Sequence, residues 1–228
     1  MKSRIPVLFC MILCFVQCRE GSERQSREKA CLEFSQKGAE MLNRFHFEKT
    51  PSYLDSALMY YDRAAAIDPT ARNSTLYNKA HVYFYKEEYD NALRMLRQMP
   101  DSVFPFPQQR TIFIEKIEAR QAAKGHDTLK RDLHYRNIVM YFDRFLETYR
   151  SAADSIMRSP DAEYISLTLY GWNLAERYYY SSKLCGNLRT FGQLDSLQKV
   201  SGYNPQYIQW IKDVLSGDEN ESMQIIFE

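Results

Sequence analysis

Residues 73–99 read NSTLYNKAHVYFYKEEYDNALRMLRQM, and the spacing inside this stretch decides the fold. Leu76, Ala80 and Tyr83 recur at intervals of four and three, and beyond the charged turn Lys86, Glu87 and Glu88 a second run follows with Tyr89, Ala92 and Leu96. Residues three and four apart share one face of a helix, so two amphipathic helices joined by a tight turn are expected. Ala80 and Ala92 are small enough to let the two backbones approach. Upstream, Ala57, Tyr61, Ala64 and Pro69 sit at offsets of 0, 4, 7 and 12, and Ala92 falls thirty-five residues after Ala57. The unit therefore occurs twice.

Taking Asn73 as the first position places Leu76, Ala80, Tyr83, Ala92 and Leu96 at positions 4, 8, 11, 20 and 24, while Ala57, Tyr61, Ala64 and Pro69 match positions 20, 24, 27 and 32. In this the chain resembles the tetratricopeptide repeat family, over about Leu32 to Met99. It departs at the end of the second unit, where Met99 stands for a small residue and Pro100 comes about four residues early. In the first unit, Gly38 as the small position 8 leaves about seven surplus residues before Ala57, and a longer turn over Phe45 to Tyr53, with Thr50 and Pro51, is expected to absorb them. The resemblance implies an all-α fold of antiparallel helix pairs stacked as a short right-handed solenoid. It also implies that the first helix of each unit lines a concave face. In the second unit that face is Ser74, Tyr77, Asn78, His81, Phe84 and Tyr85, a surface suited to an extended segment or a helix of another protein. The carboxylate-clamp mode known in the family is not expected: Asn78 matches one of its places, but Ser35 and Ala39 occupy those that need lysine and asparagine.

The chain begins with Lys2 and Arg4 followed by the apolar run Ile5 to Val16, too short to span a bilayer core of about 30 Å, which reads as an export signal over residues 1–17. Cys18 ends the run and opens a polar linker, residues 18–30. This is similar to bacterial lipoprotein signals, with departures of the kind found in the Bacteroides group: Phe15 and Gln17 stand where such signals usually have Leu and a small residue. The similarity implies lipidation of Cys18, attachment to a membrane by that anchor alone, and a place in the cell envelope, at the outer membrane. The alternative is an ordinary secretory signal with an incidental cysteine. Cys31 and Cys185 then remain as isolated thiols.

The full chain carries 30 Lys and Arg against 29 Asp and Glu, and loss of Lys2 and Arg4 with the leader leaves a formal charge near −1. That balance speaks against nucleic acid as a partner, because phosphate binding needs concentrated positive charge. The four histidines, His46, His81, His126 and His134, form no HExxH arrangement, no cysteine spacing resembles a zinc site, and no Gly-rich loop resembles a phosphate cradle. No catalytic residue, metal site or cofactor is expected, and the chain reads as a non-enzyme.

Past Pro100 the pattern stays helical, so residues 101–217 are expected as further hairpins, possible degenerate repeats, before an acidic tail at 218–228. A helix after Gln108 should stop at Gly125. Thr128 should cap a helix to about Ala152, with Leu133, Ile138, Tyr141, Phe142, Phe145 and Tyr149 recurring at spacings of three to five. Asp161 should open another whose Tyr164, Leu167, Gly171, Leu174 and Tyr178 share a face, with Gly171 as a close contact. Asn204 and Pro205 should begin a last helix closed by Gly217. The expected function is a lipid-anchored scaffold or docking module that binds another protein. One alternative is a carbohydrate-binding accessory lipoprotein, with Tyr170, Trp172 and Tyr178 to Tyr180 stacking on sugar, and another is a truncated sensory regulator of the same repeat family.

Overall fold

In the computed structural model the backbone is described for residues 5–67, 72–104, 106 and 108–217, and side chains within those ranges from residue 25 on, Arg72 excepted. Cys18 and the leader side chains, Pro69 and the tail after Gly217 lie outside the described residues. The described chain is helical throughout, without strands: α1 (Ile5–Glu48), α2 (Ser52–Ile67), α3 (Arg72–Tyr85), α4 (Tyr89–Arg97), a 3-10 turn (Asp101–Val103), α5 (Gln109–Lys124), α6 (Thr128–Met157), α7 (Ala162–Leu167), α8 (Leu169–Cys185), α9 (Asn187–Ser201) and α10 (Pro205–Ser216). Consecutive helices pack as adjacent pairs, an all-α, repeat-like arrangement. No helix among the described residues is long and apolar enough to cross a membrane. The chain divides into two compact units, Met1–Met99 and Pro100–Glu228.

In the first unit α1 lies against α2, α2 against α3, and α3 against α4. Small residues set the approach of the first pair. A Cβ added at Gly38 would stand 2.6 Å from Cε1 of Tyr61, so the tyrosine ring lies in the space glycine leaves. Around it Leu54, Ala57 and Ala64 are buried. Ala80, Ala92 and Leu96 are fully buried in the second pair, as the spacing predicted. The surplus residues of the first unit do not form the long turn expected from Phe45 to Tyr53. They extend the helix instead, because Phe45 has apolar partners to pack on, and only 49–51 separate α1 from α2. The stretch 25–30, expected as linker, is also part of α1.

The turn between α3 and α4 closes by a Schellman pattern in which the Glu88 amide reaches back to the Tyr83 carbonyl and the Glu87 amide to that of Phe84. Glu87 takes the left-handed conformation, φ 58°, that glycine would adopt at least cost. Lys86 bonds Asp55 at 2.8 Å and Glu88 at 3.1 Å, fastening this turn to α2.

In the second unit α6 is the longest element and carries Ile138, Phe142, Phe145 and Met157 into a core completed by Ile165, Leu194, Tyr207, Ile208 and Ile211. Its cap is Asp127, which accepts from the Lys130 amide; Thr128 is already inside the helix. α6 also runs five residues beyond Ala152, since Ala153 and Met157 are still buried. Leu133 and Tyr149 are half exposed instead of core. The left-handed residue after α5 is His126, φ 57°, with Gly125 at φ −81° still within the right-handed turn.

The single helix expected from Asp161 is two helices broken at Thr168, whose extended backbone (φ −80°, ψ 150°) turns the chain while its hydroxyl accepts from the Gly171 amide. Tyr164 and Leu167 are exposed as a result. Gly171 is a close contact, as expected, but with backbone: an added Cβ would lie 2.1 Å from the Ile165 carbonyl oxygen. The Tyr207 hydroxyl donates to the Gly171 carbonyl at 2.5 Å. Asn204 accepts from the Gln206 and Tyr207 amides and donates to the Ser159 carbonyl at 2.7 Å, so the cap of α10 also secures the chain after α6.

Candidate functional site

Three places carry chemistry beyond packing. The first is the α3 face singled out by the repeat register. Ser74 is exposed, while Tyr77, Asn78, His81 and Tyr85 are half buried. Tyr77 and His81, one turn apart, meet edge to face with ring centroids 4.7 Å apart. Tyr85 does not continue this stripe outward. Its ring packs on α1, 4.7 Å from His46 and 5.8 Å from Phe45. Burial holds the His46 imidazole pKa below its usual value, with Lys49 adding to the effect, so this cluster favours a neutral ring. Phe84 is a correction to the sequence reading: it is 8% exposed, and its ring stands 6.3 Å from that of Tyr89, within the α3–α4 pair. Of the six residues that the repeat register assigned to this face, Ser74, Tyr77, Asn78 and His81 remain at least partly accessible, with Tyr85 packed toward α1.

The second place is a cavity of about 290 Å³ in the second unit, lined by residues of α6, α8 and α9 together with Tyr203. Arg177 forks onto Asp143, with Nε to Oδ1 at 2.9 Å and Nη2 to Oδ2 at 3.4 Å, and its guanidinium lies 4.7 Å from the centroid of the Tyr178 ring. The Tyr170 hydroxyl donates to the Leu146 carbonyl at 3.3 Å and lies 3.5 Å from the Tyr203 hydroxyl. Desolvation raises the phenol pKa values of Tyr170 and Tyr178, so both remain neutral donors over the physiological range. Of the tyrosines expected to stack on a ligand, Tyr170 and Tyr178 border this cavity. Tyr179 and Tyr180 are core, and Trp172 is packed against the core.

The third place was not legible in the sequence. Glu115 and Glu118 lie three apart on α5, and opposite them on α6 are His134 and, three further on, Asn137. His134 Nδ1 is 2.7 Å from Glu115 Oε2 and 3.6 Å from Glu118 Oε2, and Asn137 Nδ2 donates to the same Glu115 oxygen at 3.2 Å. His134 is 7% exposed. The signal in the sequence was two pairs at helical spacing, but nothing in it says that those two faces meet.

No protein-family model matches the chain, and comparison with curated proteins and with solved structures returns no match.

Proposed function

We propose that this chain is a docking module of the bacterial cell envelope, built of tetratricopeptide-like helix pairs, held to the membrane by lipid at Cys18, and that it receives a segment of another protein on α3. The observation that carries this reading is the Tyr77–His81 pair on the partly accessible face of a helix whose other face is committed to core. Rings packed edge to face one turn apart form a preordered anchor strip at low entropic cost, the kind of surface a partner helix or extended strand buries. Ser74 and Asn78 flank it with hydrogen-bonding groups that fix register.

The test is partner capture from detergent-solubilised envelopes with the wild type and with Tyr77→Ala combined with His81→Ala. Loss of both anchors should weaken capture by about 2 kcal/mol, roughly thirtyfold, with helicity and melting nearly unchanged. Undiminished capture by a folded double variant rejects the α3 site. Fatty-acid labelling that is absent from the wild type, or persists in Cys18→Ser, rejects the anchor.

The cavity lined by Tyr170, Tyr178 and Arg177 favours a second reading, a small hydroxyl-rich ligand such as a monosaccharide, because its volume sits at the small end of ligand pockets and it offers neutral phenols beside a paired arginine and carboxylate. A glycan-binding screen, negative for the docking reading and positive for this one, separates the two.

A further inference from the structure

We propose that Glu115, Glu118 and His134 form a binding site for a divalent transition-metal ion of the Zn²⁺ class, which clips α5 to α6. This site lies outside the α3 face and does not depend on the docking reading. The ligand atoms of the three side chains all lie within 4.8 Å of one another. A tetrahedral Zn²⁺ ion with bonds of about 2.0–2.1 Å places its ligand atoms about 3.3 Å apart. The distances from His134 Nδ1 to the two carboxylates, 2.7 and 3.6 Å, bracket that value.

The chemistry of the donors points the same way. Two carboxylate oxygens and one imidazole nitrogen form a mixed set that suits Zn²⁺, Mn²⁺ or Fe²⁺ better than Ca²⁺ or Mg²⁺, which prefer all-oxygen shells. Glu115 and His134 have side chains only 13% and 9% exposed, so the charge there is shielded from water. The Nδ1 edge of His134 faces both carboxylates. With the proton on Nε2, the Nδ1 lone pair faces a carboxylate oxygen at 2.7 Å. A cation between the two carboxylates takes up that lone pair. Asn137, donating to Glu115 Oε2, then acts as the outer support that orients a ligating carboxylate.

The experiment uses the full chain, stripped with a chelator and titrated with Zn²⁺, and with Co²⁺ as the coloured probe. The expected result is one equivalent bound with Kd at or below about 1 μM, a raised Tm, and visible Co²⁺ absorption of a site with nitrogen and oxygen donors. Glu118→Gln, which leaves the Glu115–His134 contact in place, should weaken Zn²⁺ binding at least about tenfold and remove the Co²⁺ bands while the metal-free melt is retained. No binding of Zn²⁺, Mn²⁺ or Co²⁺ by the wild type overturns the proposal. So does equal binding by wild type and Glu118→Gln, which would assign the ion to other residues, and so does a Zn²⁺ affinity no greater than that for Mg²⁺.

Discussion

Gly171 is the residue on which the second unit turns. It lies in the first turn of α8, where the Thr168 hydroxyl caps its amide, the Tyr207 hydroxyl bonds its carbonyl, and the Ile165 carbonyl occupies the space of a side chain. Three elements thus converge on one atom-sized gap. Gly171→Ala must displace backbone, because the added Cβ would stand 2.1 Å from that oxygen, and the loss should be about 1–3 kcal/mol or more by thermal melting. Gly192→Ala is the matched control: nothing lies within 4 Å of its Cβ, and within α9 the change should stabilise by about 0.5–1 kcal/mol. Equal effects at the two sites would show that the α7–α8 corner is not as tight as described. The sequence marked Gly171 as a close contact but not its partner. The break at Thr168 carries no glycine or proline, so spacing alone read one helix through it, and with the helix misread Tyr164 and Leu167 were placed on a buried face they do not occupy.

Helix pairing in the first unit was far more legible, because the small residues that permit it are visible at fixed offsets. Ala80 and Ala92 are both 0% exposed in the α3–α4 pair. Ala92→Phe would force a ring into that contact and should cost about 1–3 kcal/mol, read as a lower Tm. An unchanged melt for Ala92→Phe would break the repeat register. The face of α3 was less legible than its pairing. Positions alone sent Phe84 and Tyr85 to the groove, whereas Phe84 packs toward Tyr89 and Tyr85 toward His46 of α1. An aromatic side chain is long enough to reach a neighbouring helix from either edge of its stripe, and sequence periodicity does not resolve which edge it takes. The cluster of Glu115, Glu118 and His134 escaped for a related reason: each helix supplies only half of it, and the spacing rules for metal sites look along one segment.

Across the whole molecule the recurrent filler is tyrosine, and this gives the protein a distinctive response to alkali. The Tyr61 phenol pKa is pushed up to about 12 by burial in the first unit, and desolvation also raises those of Tyr170, Tyr178, Tyr180 and Tyr207 in the second. Each of these phenols is neutral in the folded protein at a pH where the unfolded chain, with values near 10, has begun to lose its proton. Above that point the unfolded state binds fewer protons than the folded one, so stability falls as pH rises. The sign is opposite to that of a paired carboxylate: the full stability is present below about pH 10 and is lost through the interval up to the folded-state values. The Tm should therefore be nearly level between about pH 7 and 9 as far as these groups are concerned and then drop steeply toward pH 11. The ultraviolet absorbance of phenolate separates this from a general charge effect. A rise in phenolate absorbance should coincide with the loss of helical circular dichroism as the buried rings reach water. Tyr61→Phe, which removes an ionisable group without emptying its place against Gly38, should make the alkaline decline shallower. If phenolate forms in full while the helical signal stays intact, the buried tyrosines are accessible and the packing of both units is looser than described.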